Sequence, residues 1–101
     1  MAKVSAVAKN DRRKKMIASH APKRAKLKAI VASKETTTQE KFEAQLKLAK
    51  LPRNGAKVRH RNRCNFTGKP RGFYRDFGIC RVSLREEFGF GMVPGLTKSS
   101  W

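Results

Sequence analysis

The sequence predicts a mainly α-helical, extended chain with little core and a small irregular β module at its C-terminal end. Residues 3–20 are rich in Ala, Lys, Arg and Met, which favour helices. The stretch 57–85 instead concentrates glycines, aromatic residues and both cysteines. A chain of 101 residues with a formal net charge of +18 repels itself and builds only a weak core. We therefore divide it into basic N-terminal helices with a helical hairpin (1–52), an extended basic arm (53–63) and a C-terminal module (64–101).

The charge distribution predicts a polyanionic partner. Residues 1–28 hold ten Lys/Arg and one acid, and residues 53–85 again hold ten and one, whereas 29–52 are nearly neutral. Nucleic acid fits because its phosphates bind Lys and Arg with release of counterions. An anionic membrane surface competes, but the N-terminal segment lacks the broad apolar face that membrane-surface helices need. No stretch approaches the roughly 20 apolar residues of a transmembrane helix.

Pro22 is expected to interrupt the N-terminal helical stretch. A first helix would cover residues 3–20, and a second, with Pro22 in its first turn, would run to about residue 32. The second helix has a small apolar face at i, i+3 and i+4 spacing. That face consists of Leu27, Ile30 and Val31.

A third helix is predicted with a defined start and end. Thr37 and Glu40 match the T-x-x-E capping box, and Pro52 stops the helix after about residue 51. Its apolar stripe consists of Phe42, Leu46 and Ala49, with Leu48 and Leu51 adjoining. We expect this stripe to pack on the second helix and form the helical hairpin.

The arm that follows carries a basic residue at every second position, namely Lys57, Arg59, Arg61 and Arg63. In a β-strand, alternate side chains lie on one face, about 6.6 Å apart. An extended arm would therefore present one row of cations. Such a row suits the repeating phosphates of a nucleic acid.

Cys64 and Cys80 stand where a zinc ribbon would have the first cysteine of each C-x2-C pair. The pattern C-x2-C-x12-C-x2-C places four thiolates around a tetrahedral ion. Here the second member of each pair is a hydroxyl residue, Thr67 or Ser83. Neutral hydroxyls are weak zinc ligands, so we predict no bound metal and no cofactor. The C-terminal module is interpreted as a degenerate, zinc-ribbon-like frame with small buried cysteines.

Two short strands are expected in this frame, at residues 73–76 and near residue 79. Ser83 begins a second capping box and is expected to be the N-cap of a helix that runs to about residue 90. We expect Phe73 and Phe77 to pack with the cysteines, and Tyr74 to be exposed and to stack on unpaired bases. Positive φ angles or close backbone approaches are expected at Gly68, Gly72 and Gly78.

The segment RNRC-x2-TGKPRGFYRDFGICRVSLRE closely resembles the signature of the universal small-subunit ribosomal protein fourteen family. The resemblance extends to the basic N-terminal helices, the Leu51-Pro52-Arg53 junction and the ending from Pro94-Gly95-Leu96 to Ser100-Trp101. It therefore covers essentially the whole chain in the longer bacterial form. The family has zinc-bearing and zinc-free versions, and the hydroxyls at positions 67 and 83 place this sequence with the zinc-free ones.

This resemblance implies a structural RNA-binding protein in the head of the small (30S) ribosomal subunit. It implies binding to the three-prime major domain of 16S ribosomal RNA and a role in assembling and holding the head near the A-site side. Small-subunit ribosomal proteins three, ten and nineteen would be its neighbours. The implied location is the cytoplasmic ribosome, with an organellar ribosome left open.

The basic residues support the RNA part independently of the resemblance. Most are expected to contact phosphates, which position a protein without reading sequence. Tyr74, the one aromatic residue among those predicted to bind RNA, is expected to stack on a base. The predicted RNA-binding residues are Arg12, Arg13, Lys14, Lys15, Lys57, Arg59, Arg61, Arg63, Lys69, Arg71, Tyr74, Arg75, Arg81 and Arg85.

The residues also leave an alternative function open, a free-standing degenerate zinc ribbon that binds DNA. Trp101 either stacks on RNA or belongs to a flexible tail. No enzyme and no small-molecule substrate are predicted, because the acids lie mainly in 35–43 and 86–87, where they cap helices or pair with cations rather than orienting a nucleophile. Two cysteines without a secretory segment are typical of a reduced, intracellular setting.

Overall fold

The computed structural model describes residues 1–100, and Trp101, for which base stacking was considered, lies outside this part. The mainly helical class and the small antiparallel β module are confirmed. The described residues form two compact units, one from Ala8–His60 and one from Met1–Val7 with residues 61–100. The helices and strands are α1 (Val4–Ala32), α2 (Thr38–Lys50), β1 (Phe73–Tyr74), β2 (Ile79–Cys80) and α3 (Arg81–Gly89). Two short 3-10 helices cover Arg53–Gly55 and Lys57–Arg59.

The expected break at Pro22 is wrong, because α1 continues through it for 29 residues. A proline inside a helix removes the bond to the carbonyl four residues earlier and costs about 3 kcal/mol. Here that carbonyl belongs to Ala18, and both Ala18 and Pro22 are exposed, so water can hydrate it. Helix formers on both sides of Pro22 supply the remaining bonds of a single helix.

A protected face runs along α1 from position 10 to position 31 in steps of three and four residues. Three residues that mark it, Asn10, His20 and Leu27, are buried or half-buried, while Ile30 is 37 % exposed. Every lysine of α1 is exposed on the remaining surface. Polar and apolar residues are mixed along the protected face, and for this reason an apolar pattern alone does not reveal it.

The start and end of α2 agree with the sequence prediction. The Thr37 hydroxyl accepts a hydrogen bond from the Glu40 amide (3.4 Å), and the Glu40 carboxylate accepts one from the Thr37 amide (3.1 Å). The helix ends at Lys50 with Leu51 as C-cap, directly before Pro52. The reciprocal bonds satisfy two backbone donors that a helix start leaves unpaired.

The predicted hairpin contact through the stripe of α2 is wrong. Phe42 is 64 % exposed and Leu46 is 48 % exposed, and Ala49 is exposed as well. The inward face instead contains Ala44, which is 3 % exposed, and the half-buried Leu48. Both faces of α2 carry apolar residues, and the face with Ala44 and Leu48 is the more buried one.

The predicted row of cations on an extended arm is also wrong. Two consecutive turns replace the strand, with the Ala56 amide bonded to the Arg53 carbonyl (3.2 Å) and the His60 amide to the Lys57 carbonyl (3.3 Å). A single strand without a neighbour would leave its backbone groups without protein partners, whereas the turns pair them locally. The basic residues at every second position of the sequence therefore do not line one face of the folded segment.

In the C-terminal module, β1 and β2 pair antiparallel, with Phe73 opposite Cys80 and Tyr74 opposite Ile79. The core consists of Cys64, Ile79, Cys80 and Leu84, with Val93 and Leu96 packed against it. Phe73 is half-buried, but the predicted packing of Phe77 is wrong because this side chain is 44 % exposed. The β2 strand leads directly into α3, so Ile79 and Leu84 fill the space that Phe77 was expected to fill.

Ser83 is not the N-cap of α3, which corrects the sequence prediction. The helix begins two residues earlier, at Arg81, with Cys80 as its N-cap residue. The Arg81 amide donates to the Gly72 carbonyl over 2.8 Å, and this bond joins the helix start to the turn before β1. Ser83 then lies inside the first turn, 3 % exposed.

The expected positive φ angles are confirmed at Gly68 (+73°), Gly72 (+62°) and Gly78 (+70°). Gly68 is required for a second reason as well, because a Cβ atom at this position would lie 2.9 Å from the Val7 side chain. The Ala2 amide also donates to the Thr67 carbonyl over 3.1 Å. The first residues of the chain are thereby held against the 64–69 turn.

Candidate nucleic-acid interface

The basic run on α1 divides between two environments. Arg12, Lys14 and Lys15 are exposed, as an RNA contact requires. Arg13 is half-buried, and its guanidinium donates to the Arg59 carbonyl over 3.4 Å. Its position on the protected face follows from the helical period, since the residue lies three places after Asn10. Three of the four predicted contacts are therefore available to a ligand along their whole side chains.

A seam joins α1 to the segment that follows α2. The Arg24 guanidinium donates to the Pro52 carbonyl over 3.2 Å, and Arg13 reaches the Arg59 carbonyl. Between these two bonds, a Cβ atom at Gly55 would lie 3.3 Å from the His20 ring. The segment from Pro52 to Arg59 therefore runs antiparallel to α1 in the 8–60 unit.

Sequence reasoning did not identify Arg24 and His20 as organising residues of this seam. His20 lies seven residues after Arg13, and Arg24 lies four residues after His20. This spacing places all three on one helical face, and it was visible in the sequence. The buried Nε atoms of Arg13 and Arg24 and the Nδ1 atom of His20 have no hydrogen-bond partner within the described residues. The seam is thus formed by polar side chains, and a search for apolar patterns in the sequence does not detect them.

The four cations predicted on the arm do not form a row. Lys57 is exposed, whereas Arg59 is half-buried beside α1. Arg61 donates through Nε to the Pro70 carbonyl (3.1 Å), and Arg63 donates to the Gly68 carbonyl (2.9 Å). These bonds orient both guanidinium groups against the turn at residues 68–70.

The predicted cations of the C-terminal module lie on its surface. Lys69 and Arg71 flank Pro70 at the turn that Arg61 holds, and Arg75 follows β1; all three are exposed. Tyr74 is 48 % exposed, so its expected exposure is confirmed. The two predicted arginines of α3, Arg81 and Arg85, are also exposed.

The structure brings together the two cysteines and two hydroxyl residues that the C-x2-T and C-x2-S spacings predicted to be neighbours. The Ser83 hydroxyl lies 3.3 Å from the Cys80 sulfur and 3.6 Å from the Cys64 sulfur. The Thr67 hydroxyl lies 3.9 Å from the Cys80 sulfur. Two thiols with two neutral hydroxyls do not match the donor set of a structural zinc site. Within residues 1–100, no group of three or more His, Cys, Asp and Glu side chains could hold a metal ion.

Hydrogen bonding within this cluster changes the acidity of its thiols. Burial raises the pKa of the Cys64 thiol, but hydrogen bonds from Thr67, the Cys80 backbone and Ser83 outweigh burial and lower the pKa to about 6. The Ser83 hydroxyl and backbone also lower the pKa of Cys80, against burial and the neighbouring Cys64. Since one thiolate disfavours a second beside it, the two thiols ionise as a coupled pair.

The basic surface is not combined with a membrane-spanning element in the part of the chain that the structure describes. None of the helices there has both the length and the apolar character to cross a bilayer. Although α1 is 29 residues long, six of them are lysines.

Comparison with known proteins yields one consistent group of relatives. The family model for ribosomal protein S14p/S29e matches residues 47–100. The chain is 58 % identical over 101 residues to the small ribosomal subunit protein uS14 of Xanthobacter autotrophicus, and each protein is covered completely. The proteins of the same name from Rhodospirillum centenum and Rhizobium meliloti are 56 % and 55 % identical, again over the full length of both chains.

Proposed function

This chain belongs to the ribosomal protein S14p/S29e family, and from this premise we propose that it is a structural constituent of the small ribosomal subunit that binds 16S ribosomal RNA. The observation that carries the proposal is the similarity to small-subunit proteins over the complete length of both chains. Members of this family are structural proteins rather than enzymes, and they work within the ribosome. Ribosomal RNA and other ribosomal proteins are accordingly its partners.

The finer assignment is to the head of the subunit. We propose that the chain binds the three-prime major domain of 16S ribosomal RNA and helps to assemble and hold the head near the A-site side. Small-subunit proteins three, ten and nineteen are the proposed neighbours, in the cytoplasmic ribosome. The separate basic segments 1–28 and 53–85 support contacts with more than one RNA segment.

The exposed cations support two kinds of RNA contact. Lysines on α1, such as Lys14 and Lys15, present mobile point charges that neutralise phosphate without demanding one geometry. Arg61 and Arg63 are oriented by their bonds to backbone carbonyls, so each guanidinium has a defined position in the module. We assign the first group to general attraction and the second to fixing the position of the module on RNA.

A binding experiment with two fragments of 16S RNA tests this function. The full-length chain is titrated with the three-prime major domain and with the five-prime domain at several salt concentrations. We expect tighter binding to the three-prime major domain and a steep loss of affinity with salt. Equal affinity for both fragments, or a preference for duplex DNA of the same length, would contradict the proposal.

Charge reversal on α1 provides a matched comparison in the same assay. The variant Lys14→Glu/Lys15→Glu removes two exposed cations of the predicted interface. The control Lys47→Glu/Lys50→Glu makes the same change at two exposed lysines of α2, in the nearly neutral segment. We expect the α1 variant to weaken binding more and to reduce the salt slope by about two. An equal loss in both variants would show attraction without a defined interface.

A further inference from the structure

A cavity of about 680 Å³ lies in the C-terminal module, between β1, α3 and residues 96–100. We propose that it binds a single unpaired nucleotide of RNA, with the base on Tyr74 and the phosphate near Arg81, Arg85 and Lys98. This inference rests on the proposed function, because it specifies what part of the RNA one face of the module takes. It adds Lys98 and the 96–100 segment to the residues expected at the interface.

The size and lining of the cavity fit a flat aromatic ligand. Small-molecule sites typically enclose about 300–1,000 Å³ and combine apolar walls with a few polar groups. The apolar part of the lining comes from Val82, Leu84, Phe88 and Leu96. Tyr74 also lines the cavity, with 48 % of its surface exposed. A nucleobase can stack on such a ring regardless of its identity, since every base has a π-face.

The charges around the cavity select an anionic ligand. Three cations line it, Arg81, Arg85 and Lys98, against the one carboxylate of Glu86. This excess of positive charge favours a phosphate-bearing ligand over a neutral or cationic one. Aromatic and cationic groups at one concave site thus match the two parts of a nucleotide.

The backbone and stem of Arg81 are held in place before any ligand arrives. The Arg81 amide donates to the Gly72 carbonyl over 2.8 Å. A Cβ atom at Gly72 would lie 3.3 Å from both Cγ and Cδ of Arg81, so the side-chain stem runs across this glycine. Holding the stem lowers the entropy that Arg81 loses when its guanidinium binds phosphate.

A concave site also selects the conformation of the RNA. In a duplex, each base is stacked between its neighbours and cannot enter a cavity, whereas loops and bulges present bases that can be splayed out. The convex surface of α1 imposes no such condition on a phosphate backbone. The module is therefore assigned to an unpaired nucleotide and α1 to backbone contacts.

Binding of short RNAs to the full-length chain tests the assignment. The probes are a single-stranded hexanucleotide and the same hexanucleotide annealed to its complement. The variant Tyr74→Ala is compared with Tyr74→Phe, which keeps the ring, and with Phe42→Ala, which removes a 64 % exposed aromatic residue from α2. We expect Tyr74→Ala to weaken single-strand binding about tenfold. Tyr74→Phe should retain affinity, and duplex binding should be unchanged in all three variants.

Two results would overturn the nucleotide assignment. One is a loss in Tyr74→Ala no larger than that in Phe42→Ala, and the other is an equal loss for single strand and duplex.

Free adenosine monophosphate is the third probe, and we expect it to bind far more weakly than the hexanucleotide. Equal binding of the mononucleotide would overturn the assignment to RNA. A silent Tyr74→Ala variant that still prefers the three-prime major domain would reject only the cavity, and loss of that preference in the wild type would reject the proposed function.

Discussion

The Arg24 guanidinium donates a hydrogen bond to the carbonyl oxygen of Pro52 over 3.2 Å. This bond connects the second half of α1 to the residue at which the chain leaves α2. Together with the Arg13 contact to the Arg59 carbonyl, it defines both ends of the seam along α1. Two arginines of a cationic chain thus organise the protein itself, while their lysine neighbours remain free of the seam.

Replacing Arg24 with Ala should release one end of this seam. We expect the free energy of unfolding to fall by about 1 kcal/mol, since a hydrogen bond from a charged donor to an exposed carbonyl is lost. Amide exchange should accelerate at residues 53–60 more than within α2. The exposed neighbour Lys23 provides the control, because Lys23→Ala should leave both stability and exchange nearly unchanged. Identical exchange in the two variants would contradict the organising role of Arg24.

Alanine substitutions at two glycines should have opposite consequences. Gly68 has a φ of +73°, and a Cβ atom there would lie 2.9 Å from Val7. Gly68→Ala should therefore lower the free energy of unfolding by about 2 kcal/mol, since the left-handed conformation costs roughly 1–2 kcal/mol for other residues and the clash adds to it. Gly89, at the end of α3, has open space around it, so Gly89→Ala should be neutral or slightly stabilising. Urea denaturation of both variants checks this, and equal effects would refute it.

Truncation of Leu84 should cost more stability than truncation of Phe77, although the sequence predicts a packing role for Phe77. Leu84 is 9 % exposed, so Leu84→Ala should cost about 2 kcal/mol or more. Phe77 is 44 % exposed, and Phe77→Ala should cost well under half of that despite its larger side chain. The midpoints of denaturant unfolding, measured for both variants, show which substitution costs more stability. A larger loss for Phe77→Ala would restore the packing role that the sequence suggested.

The stability of the C-terminal module should depend on pH through Cys64. The folded thiol has a pKa of about 6, below the ordinary value of 9.0 for a cysteine, so the folded state releases this proton at lower pH than the unfolded chain does. This contribution to stability is complete above about pH 9 and disappears as the pH falls through 6. We expect the wild type to gain stability between pH 6 and 9 and the Cys64→Ser variant to gain much less.

Ultraviolet absorbance of the thiolate provides a second readout for the same prediction. In the folded protein, thiolate absorbance should begin to rise near pH 6, and it should be strongly reduced in Cys64→Ser. The first rise at pH 8 to 9 in the wild type would show that burial outweighs the hydrogen bonds of Thr67 and Ser83. A stability profile that is identical in the two proteins would contradict the linkage.

Local signals in the sequence correctly predict several elements. The Thr37 and Glu40 pair specifies the start of α2, and Pro52 specifies where it ends, because both depend on backbone hydrogen bonds between near neighbours. The positive φ angles at Gly68 and Gly78 follow from the same kind of local rule. The exposure of Tyr74 is correct as well. These features need little knowledge of the rest of the chain.

Features that depend on distant partners were predicted less well. Pro22 suggests a break, but a proline in a helix is tolerated where the freed carbonyl faces water. Ser83 suggests an N-cap, yet the strand before it begins the helix at Arg81 and leaves the hydroxyl to the two thiols. The arm suggests a strand, but α1 offers it a helical surface instead of a sheet. At Ser83 and in the arm, tertiary contacts outweighed the local preference, whereas at Pro22 hydration of the freed carbonyl did.

Photo-crosslinking within assembled small subunits tests the central claim most directly. Photoreactive residues are introduced one at a time at the exposed positions of Lys14 and Arg85, and the modified nucleotides are mapped on the 16S RNA. Both probes are predicted to crosslink within the three-prime major domain, at two different segments. Crosslinks confined to other domains, or failure of the chain to enter small subunits at all, would contradict a function as a structural protein of the subunit head.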